Sequence, residues 1–176
     1  MTSSKIEAER LEFRLLDEEC DRKQFHSGEG EIDKWFRDKS ANRHAKYLCR
    51  VTTVHLSGNK VPAGFYSLSL HSEPISSLEK FQRRMGWETS AFPAVHLVYL
   101  AVHKSLQGAG IGPLLLSHAL ERVYHIAQVA GTFALTLNPM PGRQGFYEQR
   151  GFRSYGDRGG MLLPVQSIVD VVEQSG

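Results

Sequence analysis

A loop with three glycines, placed between an apolar segment and a long helical pattern, most constrains how this chain can fold. Residues 94–102 are almost all apolar, which indicates a strand buried on both faces of a sheet. Gly108, Gly110 and Gly112 follow, and residues 111–130 have the spacing of a helix with one buried face. Glycine lets backbone N–H groups approach a ligand, and the first helical turn has N–H groups without internal partners. The loop therefore predicts an anion site for phosphate or pyrophosphate.

Three kinds of phosphate-binding loop can be compared with this segment. A Walker A loop ends in Gly-Lys followed by Ser or Thr, whereas this loop ends in Gly-Ile-Gly-Pro, which excludes it. A dinucleotide-binding loop needs glycine where Pro113 stands and lies near the start of its chain, so this loop matches it weakly. The third pattern, Gln-x-x-Gly-x-Gly, is matched by Gln107, Gly110 and Gly112. Standing alone, such a motif is also explained by a turn that binds nothing.

A second motif lies at residues 138–152, which read Asn-Pro-Met-Pro-Gly-Arg-Gln-Gly-Phe-Tyr-Glu-Gln-Arg-Gly-Phe. It has a short helix carrying Phe-Tyr and a Gly-Phe pair that opens the next strand. In order and spacing, this motif and the loop resemble the GCN5-related N-acetyltransferase (GNAT) superfamily. Leu100-Ala101-Val102 is similar to the strand that precedes the coenzyme A loop in that family. The resemblance covers residues 94–163.

The resemblance implies an α/β (α+β) fold with a central mixed, mostly antiparallel sheet. That sheet is expected to splay at the cofactor site and to be flanked by helices. The order of strands and helices in the sequence agrees with helices packed around one mixed sheet. A length of 176 residues is that of one ordinary domain, so a single domain over residues 1–176 is expected.

The resemblance also implies acetyl-CoA as the cofactor and a set of residues that bind it. These are Leu100, Ala101, Val102, Gln107, Gly108, Ala109, Gly110, Ile111, Gly112 and Asn138. The loop amides are expected to hold the pyrophosphate. The backbone of residues 100–102 is expected to align the pantetheine arm and to donate an N–H to the developing oxyanion. Asn138 is equally ordinary as a turn residue before Pro139, so both interpretations stay open.

Tyr147 matches the family position of the general acid. A phenol with a pKa of about 10 can protonate a thiolate whose conjugate acid has a pKa near 8.5. A tyrosine that only packs against the sheet is the alternative. No general base is evident, because His96 lies on a mainly apolar strand and is expected to be a satisfied core residue. An α-amino group, with a pKa of about 8, is already partly neutral, so a site without a base favours it over lysine, although a water relay keeps lysine open.

The N-terminal half resembles the acetyltransferase toxins of bacterial toxin–antitoxin pairs, in residues 25–29, 32–36 and 63–68. Members of that branch acetylate the amino group of aminoacyl-tRNA and are neutralised by a ribbon-helix-helix antitoxin. The resemblance therefore implies this substrate and this partner. Acetylation of a small-molecule amine, a protein N-terminus or a lysine remains an alternative. A non-catalytic module that binds coenzyme A or a partner is another, and a homodimer formed through residues 164–176 or a sheet edge is open.

The charge distribution limits the ways in which the chain can bind nucleic acid. A net charge of +2 is too balanced for a protein that neutralises phosphates over its whole surface. A local basic rim is expected for tRNA, and its candidates are Lys80, Arg83, Arg84, Arg143 and Arg150. A solvated helix face explains the first three equally well.

The remaining sequence features favour a cytoplasmic protein without metal. Cys20 and Cys49 lack the C-x-x-C spacing and are expected to be free thiols. His118 and His125 are seven positions apart on one helix without the partners that zinc sites use, so no metal is expected. The first ten residues contain no apolar leader segment, and the longest apolar stretch, 92–102, is too short to cross a membrane.

Overall fold

The computed structural model describes residues 11–174, and the side chains of residues 11–170. The predictions that concern residues 1–10, and the two ends of the domain expected over residues 1–176, lie outside the described residues. Its strands are β1 Leu11–Leu15, β2 Arg50–Leu56, β3 Gly64–Pro74, β4 Ala91–Val102, β5 Ala134–Leu137, β6 Arg153–Tyr155 and β7 Gly160–Pro164. Its α-helices are α1 Gly30–Asp38, α2 Ser40–Ala45, α3 Ile111–Val129, α4 Gln144–Glu148 and α5 Val165–Gln174.

The strands form a seven-stranded sheet in the order β1-β2-β3-β4-β5-β7-β6. Strand β2 is antiparallel to β1 and to β3, and β7 is antiparallel to β5 and to β6, while β4 and β5 are parallel. The predicted α/β class with a mixed, mostly antiparallel sheet is therefore confirmed. The pairing of β4 with β5 ends at Leu97 and Leu137, whereas β4 itself continues to Val102.

Two compact units can be distinguished in the described chain. The first contains residues 11–69 and 99–119, and the second contains residues 70–98 and 120–174. The expectation of a single domain over 1–176 stays a prediction.

Aromatic side chains form much of the core of the first unit. Phe36 and Phe65 are fully buried and stack with their ring centroids 4.0 Å apart. Phe25 packs edge-on against both, at 5.1 and 5.4 Å. Trp35 is half-buried against Phe65 and lies 4.9 Å from the ring of Tyr99. The spacing of Ile32, Trp35 and Phe36 at i, i+3 and i+4 predicts an apolar stripe that packs in the core, and this prediction is confirmed.

The apolar spacing within residues 28–46 predicts one helix with Ser27 as its N-cap, but the observed helix is shorter and divided. It begins at Gly30 and is interrupted at Lys39, so that α1 and α2 are separate helices. Ser27 does not cap it, because its hydroxyl donates to Asp33 Oδ1 at 2.6 Å and accepts from the Glu29 N–H at 3.1 Å.

The core of the second unit includes Leu78, Phe92, Ala94, Ala134 and Leu162. Residues 75–90 lie partly over this cluster, with Ile75 and Trp87 packed against it. The sequence indicates a short helix over residues 78–85, but the structure has two short 3-10 turns instead, Ile75–Ser77 and Gln82–Arg84. Trp87 stabilises the second turn, since its indole N–H donates to the carbonyl of Gln82 at 2.8 Å.

Strand β3 is longer than its sequence indicates. The pattern predicts an end at Leu70, but the strand continues to Pro74, with partly buried and exposed residues alternating beyond Leu68. The added residues are polar, which is why they resemble a loop in the sequence. Their inclusion places His71 and Glu73 in the sheet.

Candidate active site

The glycine-rich loop has the backbone conformation that an anion cradle needs. Gly108 and Gly110 have φ angles of +82° and +88°, a region that side chains strongly disfavour. A Cβ atom on either would meet no atom within 4 Å, so the space beside the loop is open. Helix α3 begins at Ile111, and the missing N–H of Pro113 falls in its first turn, where it breaks no helical hydrogen bond. The loop and this helix start fit a pyrophosphate group.

Gln107 connects this loop to the rest of the first unit. Its Nε2 atom donates to the carbonyl of Val102 at 3.1 Å and to that of Ser27 at 2.7 Å. Nearby, the Lys104 N–H donates to the carbonyl of His26 at 2.7 Å. The side-chain amide of Gln107 is therefore used to hold the start of the loop. Its contact with the cofactor stays a prediction.

The strand that precedes the loop is fixed by a close approach of two backbones. Ala101 is buried, and Leu100 and Val102 are half-buried at the end of β4. A Cβ atom on Gly64 of β3 would lie 2.8 Å from the Ala101 carbonyl oxygen and 2.8 Å from Cδ1 of Leu115. Only glycine fits between these atoms without a shift of the backbone.

Tyr147 lies on α4, in the second unit, and is 9% exposed. Its ring packs edge-on against Phe146 at 5.0 Å and Phe152 at 5.6 Å. Burial raises the pKa of Tyr147 to about 12, and the nearby charges of Arg143 and Arg150 oppose that shift. The phenol therefore keeps its proton at neutral pH, as a general acid must before it reacts.

Arg150 is held against the same helix. Its Nη1 atom donates to the carbonyl of Phe146 at 2.6 Å, and its guanidinium lies 3.9 Å from the centroid of the Phe146 ring. These contacts fix the side chain on α4. Arg143, by contrast, is exposed.

Asn138 directly follows β5 and is exposed. Its Oδ1 atom lies 3.4 Å from the position that a Cβ atom of Gly160 would take, and Cε1 of Tyr155 lies 2.8 Å from the same position. Asn138 and Tyr155 therefore flank Gly160, and a larger residue there would displace one of them.

The second unit also contains a polar group that the sequence did not reveal. We call it the Thr136 cluster, and its members are His71, Glu73, His96, Thr136 and Tyr155. His71 Nε2 and His96 Nδ1 each lie 2.9 Å from the Thr136 hydroxyl oxygen. Glu73 Oε1 lies 3.5 Å from His71 Nε2 and accepts the Tyr155 hydroxyl at 3.1 Å. The alternation of His71 and Glu73 could have indicated that the strand continues with both side chains on one face. The polar residues after Leu70 resembled a loop instead.

Burial sets the ionisation of the Thr136 cluster. It lowers the pKa of His96 to about 4, and His71 contributes in the same direction. It also lowers the pKa of His71, while Glu73 opposes this shift. Burial raises the pKa of Tyr155 to about 12, and the charge of Glu73 adds to the rise. Near pH 7 both histidines are therefore neutral and the phenol is protonated.

The described residues show no arrangement of three or more His, Cys, Asp or Glu side chains suited to a metal ion. Cys20 and Cys49 are buried free thiols, as predicted. Within residues 11–174, no helix combines the length and apolar character that a membrane span requires.

Comparison with known proteins shows what parts of this chain resemble. The model of the acetyltransferase (GNAT) domain matches residues 85–160. The probable toxin TacT of Sinorhizobium fredii (strain NBRC 101917 / NGR234) is 27% identical over 159 residues, which cover 84% of this chain and 87% of TacT.

Two solved structures share the fold. AtaT complexed with acetyl-methionyl-tRNAfMet has a TM-score of 0.84 at 22% identity, over 92% of this chain and 99% of that one. AtaTR bound with AcCoA has a TM-score of 0.82 at 22% identity, over 93% and 99%. Residues 85–160, which contain both sequence motifs, thus match the acetyltransferase domain of the GNAT family, a class of enzyme whose acetyl donor is acetyl-CoA.

Proposed function

We propose that this enzyme acetylates the α-amino group of an aminoacyl-tRNA and acts as the toxin of a toxin–antitoxin pair. The relationship with the probable toxin TacT, along 84% of the chain, carries the proposal. AtaT, which was solved with acetyl-methionyl-tRNAfMet, supports it through the shared fold.

The first unit supplies the groups that bind the cofactor. The amides of residues 108–112 hold the pyrophosphate, because positive φ angles at Gly108 and Gly110 leave the loop open on one side. The backbone of Leu100, Ala101 and Val102 aligns the pantetheine arm and donates to the developing oxyanion. When bound, acetyl-CoA supplies an acetyl group activated as a thioester.

Tyr147 supplies the proton for the departing sulfur. Its hydroxyl is protonated over the whole physiological range, because burial raises its pKa to about 12. The packing of Phe146 and Phe152 around the ring fixes the direction of the Cζ–Oη bond. Asn138, at the end of β5, is assigned a contact with the cofactor.

We assign contacts with the RNA phosphates to Lys80, Arg83 and Arg84. All three are exposed, and none of them takes part in an ion pair of the described residues. Phe81 stands among them with 67% of its surface exposed, and an aromatic ring on such a basic segment can stack on an unpaired base. We do not assign Arg150 to the basic rim that was expected to bind tRNA, because its guanidinium packs on the ring of Phe146.

A toxin of this kind acts in the cytoplasm, where aminoacyl-tRNA is found, and needs a neutralising partner. We assign it a ribbon-helix-helix antitoxin, in line with the resemblance to toxin acetyltransferases. A homodimer through residues 164–176 or through an edge strand, β1 or β6, belongs to the same proposal.

The test is acetyl transfer from labelled acetyl-CoA to charged and to deacylated bulk tRNA. We expect label on charged tRNA alone, and a fall in kcat of about 100-fold or more in Tyr147→Phe. Tyr124→Phe is the matched control, since this half-buried tyrosine of α3 packs beside His125 outside the predicted site.

Three results would count against the proposal. Transfer to small amines or lysine peptides, but not to charged tRNA, would show that the acceptor is not aminoacyl-tRNA. An unchanged rate in Tyr147→Phe would remove its role as the acid. Failure of acetyl-CoA to raise the melting temperature would contradict the assigned cofactor site.

A further inference from the structure

Glu73 decides which nitrogen of His71 carries the proton. A carboxylate and a hydroxyl oxygen both accept hydrogen bonds, and His71 Nε2 lies 3.5 Å from Glu73 Oε1 and 2.9 Å from Thr136 Oγ1. The proton of the neutral ring is therefore best placed on Nε2, and the lone pair on Nδ1. The side chain is 30% exposed, and its ring centroid lies 4.6 Å from that of His96. Among the described residues, its polar contacts are made through Nε2. Nδ1 is thus the atom left to accept a proton.

The other members of the Thr136 cluster support this tautomer. Once Thr136 Oγ1 accepts from His71, its own hydrogen is free to point at His96 Nδ1, 2.9 Å away. The Tyr155 hydroxyl donates to Glu73 and holds the carboxylate in place. The groups facing His71 are therefore one carboxylate, a neutral histidine, a hydroxyl and a protonated phenol. Of these groups, the carboxylate favours the positive charge that a second proton would bring to the ring, and it opposes the effect of burial.

The cluster is continuous with the predicted cofactor contact in the same unit. His96 and Thr136 face each other one pair before the pairing of β4 with β5 ends at Leu97 and Leu137. Asn138 lies two residues beyond Thr136, on the same side of an extended chain. It flanks Gly160 together with Tyr155, which is a member of the cluster.

We propose that His71 accepts the proton that the substrate amine loses as it attacks the thioester, and that Glu73 and Thr136 are its positioning residues. This inference rests on the proposed function. The amine nitrogen forms a bond to the acetyl carbon and gives one proton to His71 Nδ1, while the carbon–sulfur bond breaks. The sulfur takes the proton of Tyr147, and exchange with water returns both side chains to their starting states.

His71 suits this step better than its neighbours do. His96 is bound to Thr136 through Nδ1, and burial brings its pKa to about 4, so it is a weak base. Glu73 already accepts one hydrogen bond and pairs with His71. The absence of an evident base in the sequence is explained, because the base lies on the polar end of β3 rather than on β4.

The kinetic test compares His71→Gln with wild type on charged tRNA as a function of pH. We expect kcat to fall by about 100-fold or more, and the loss of activity on the acid side of the wild-type profile to disappear. His125→Gln is the matched control, since its side chain is 57% exposed on α3. The rise in melting temperature with acetyl-CoA should be unchanged in both variants.

Glu73→Gln separates a role in proton transfer from a structural one. The carboxylate raises the pKa of His71, so its removal should move the acid limb of the profile to lower pH as well as lower the rate. A role in folding alone would change the melting temperature and leave the position of that limb unaltered.

Nitrogen NMR of the histidine rings tests the arrangement without any substrate. We expect the Nε2–H tautomer for His71, and a shift of its titration to lower pH in Glu73→Gln. The Nδ1–H tautomer would overturn the inference. If the wild type is active and His71→Gln keeps the same rate and pH profile, the role of His71 as the base is overturned and the proposed function stands. If the wild type acetylates no amine, the proposed function and this inference are both overturned.

Discussion

The hydrogen of Gly64 points at the carbonyl oxygen of Ala101, which lies 2.8 Å from the place where a Cβ atom would be. The two strands can approach this closely because residue 64 has no side chain. Since Ala101 is central to the segment that we propose to align the pantetheine arm, Gly64 sets the position of that strand.

Gly64→Ala is therefore expected to weaken acetyl-CoA binding and to destabilise the fold. A new methyl group in a packed site costs about 1–3 kcal/mol, and here both the carbonyl of Ala101 and Cδ1 of Leu115 stand in its way. Calorimetric titration and urea unfolding would measure the two effects. Gly30→Ala, where no atom lies within 4 Å, should change neither. Equal affinity and stability in Gly64→Ala would show that the strands separate easily.

The loop offers a second prediction, which concerns conformation rather than space. Gly110→Ala places a side chain at a φ of +88°, which costs about 1–2 kcal/mol, although no atom blocks it. The loop should relax and bind acetyl-CoA about tenfold more weakly. Gly58→Ala imposes similar strain at a φ of +78° in the turn between β2 and β3. It should lower stability without altering the dissociation constant, and a similar loss of affinity in both variants would contradict the role of the loop.

The elements predicted well are those with a strong local pattern. The helix from Ile111, the glycine loop and the placement of Tyr147 on a short helix all follow from residues close together in the sequence. The apolar spacing of α1 likewise predicted the burial of Phe36. Helix α5 was not predicted, although Val165 and Ile168 are buried along it.

The Thr136 cluster could not be predicted, because its contacts join distant parts of the chain. His71 and Thr136 are 65 positions apart, and Tyr155 and Glu73 are 82 apart. Polar residues beyond Leu70 indicate a loop when read alone, and the paired strand stabilises them as β3 instead. The same applies to Gly64, since glycine in a strand does not reveal which atom approaches it.

The last prediction concerns stability in acid. Burial lowers the pKa of His96 from 6.5 to about 4, so between these values the unfolded chain binds a proton that the folded chain does not. The free energy of unfolding should therefore decrease as the pH falls from about 6.5 to about 4. His96 contributes at most about 3 kcal/mol to this decrease, and nearer about 2 kcal/mol because its ring is partly solvated. Urea unfolding at pH 7 and pH 4.5 should show a smaller difference in His96→Gln than in wild type. His125→Gln should keep the full difference, since its ring is exposed. An equal pH dependence in all three proteins would mean that His96 is protonated in the folded state, and that the Thr136 hydroxyl does not donate to its Nδ1 atom.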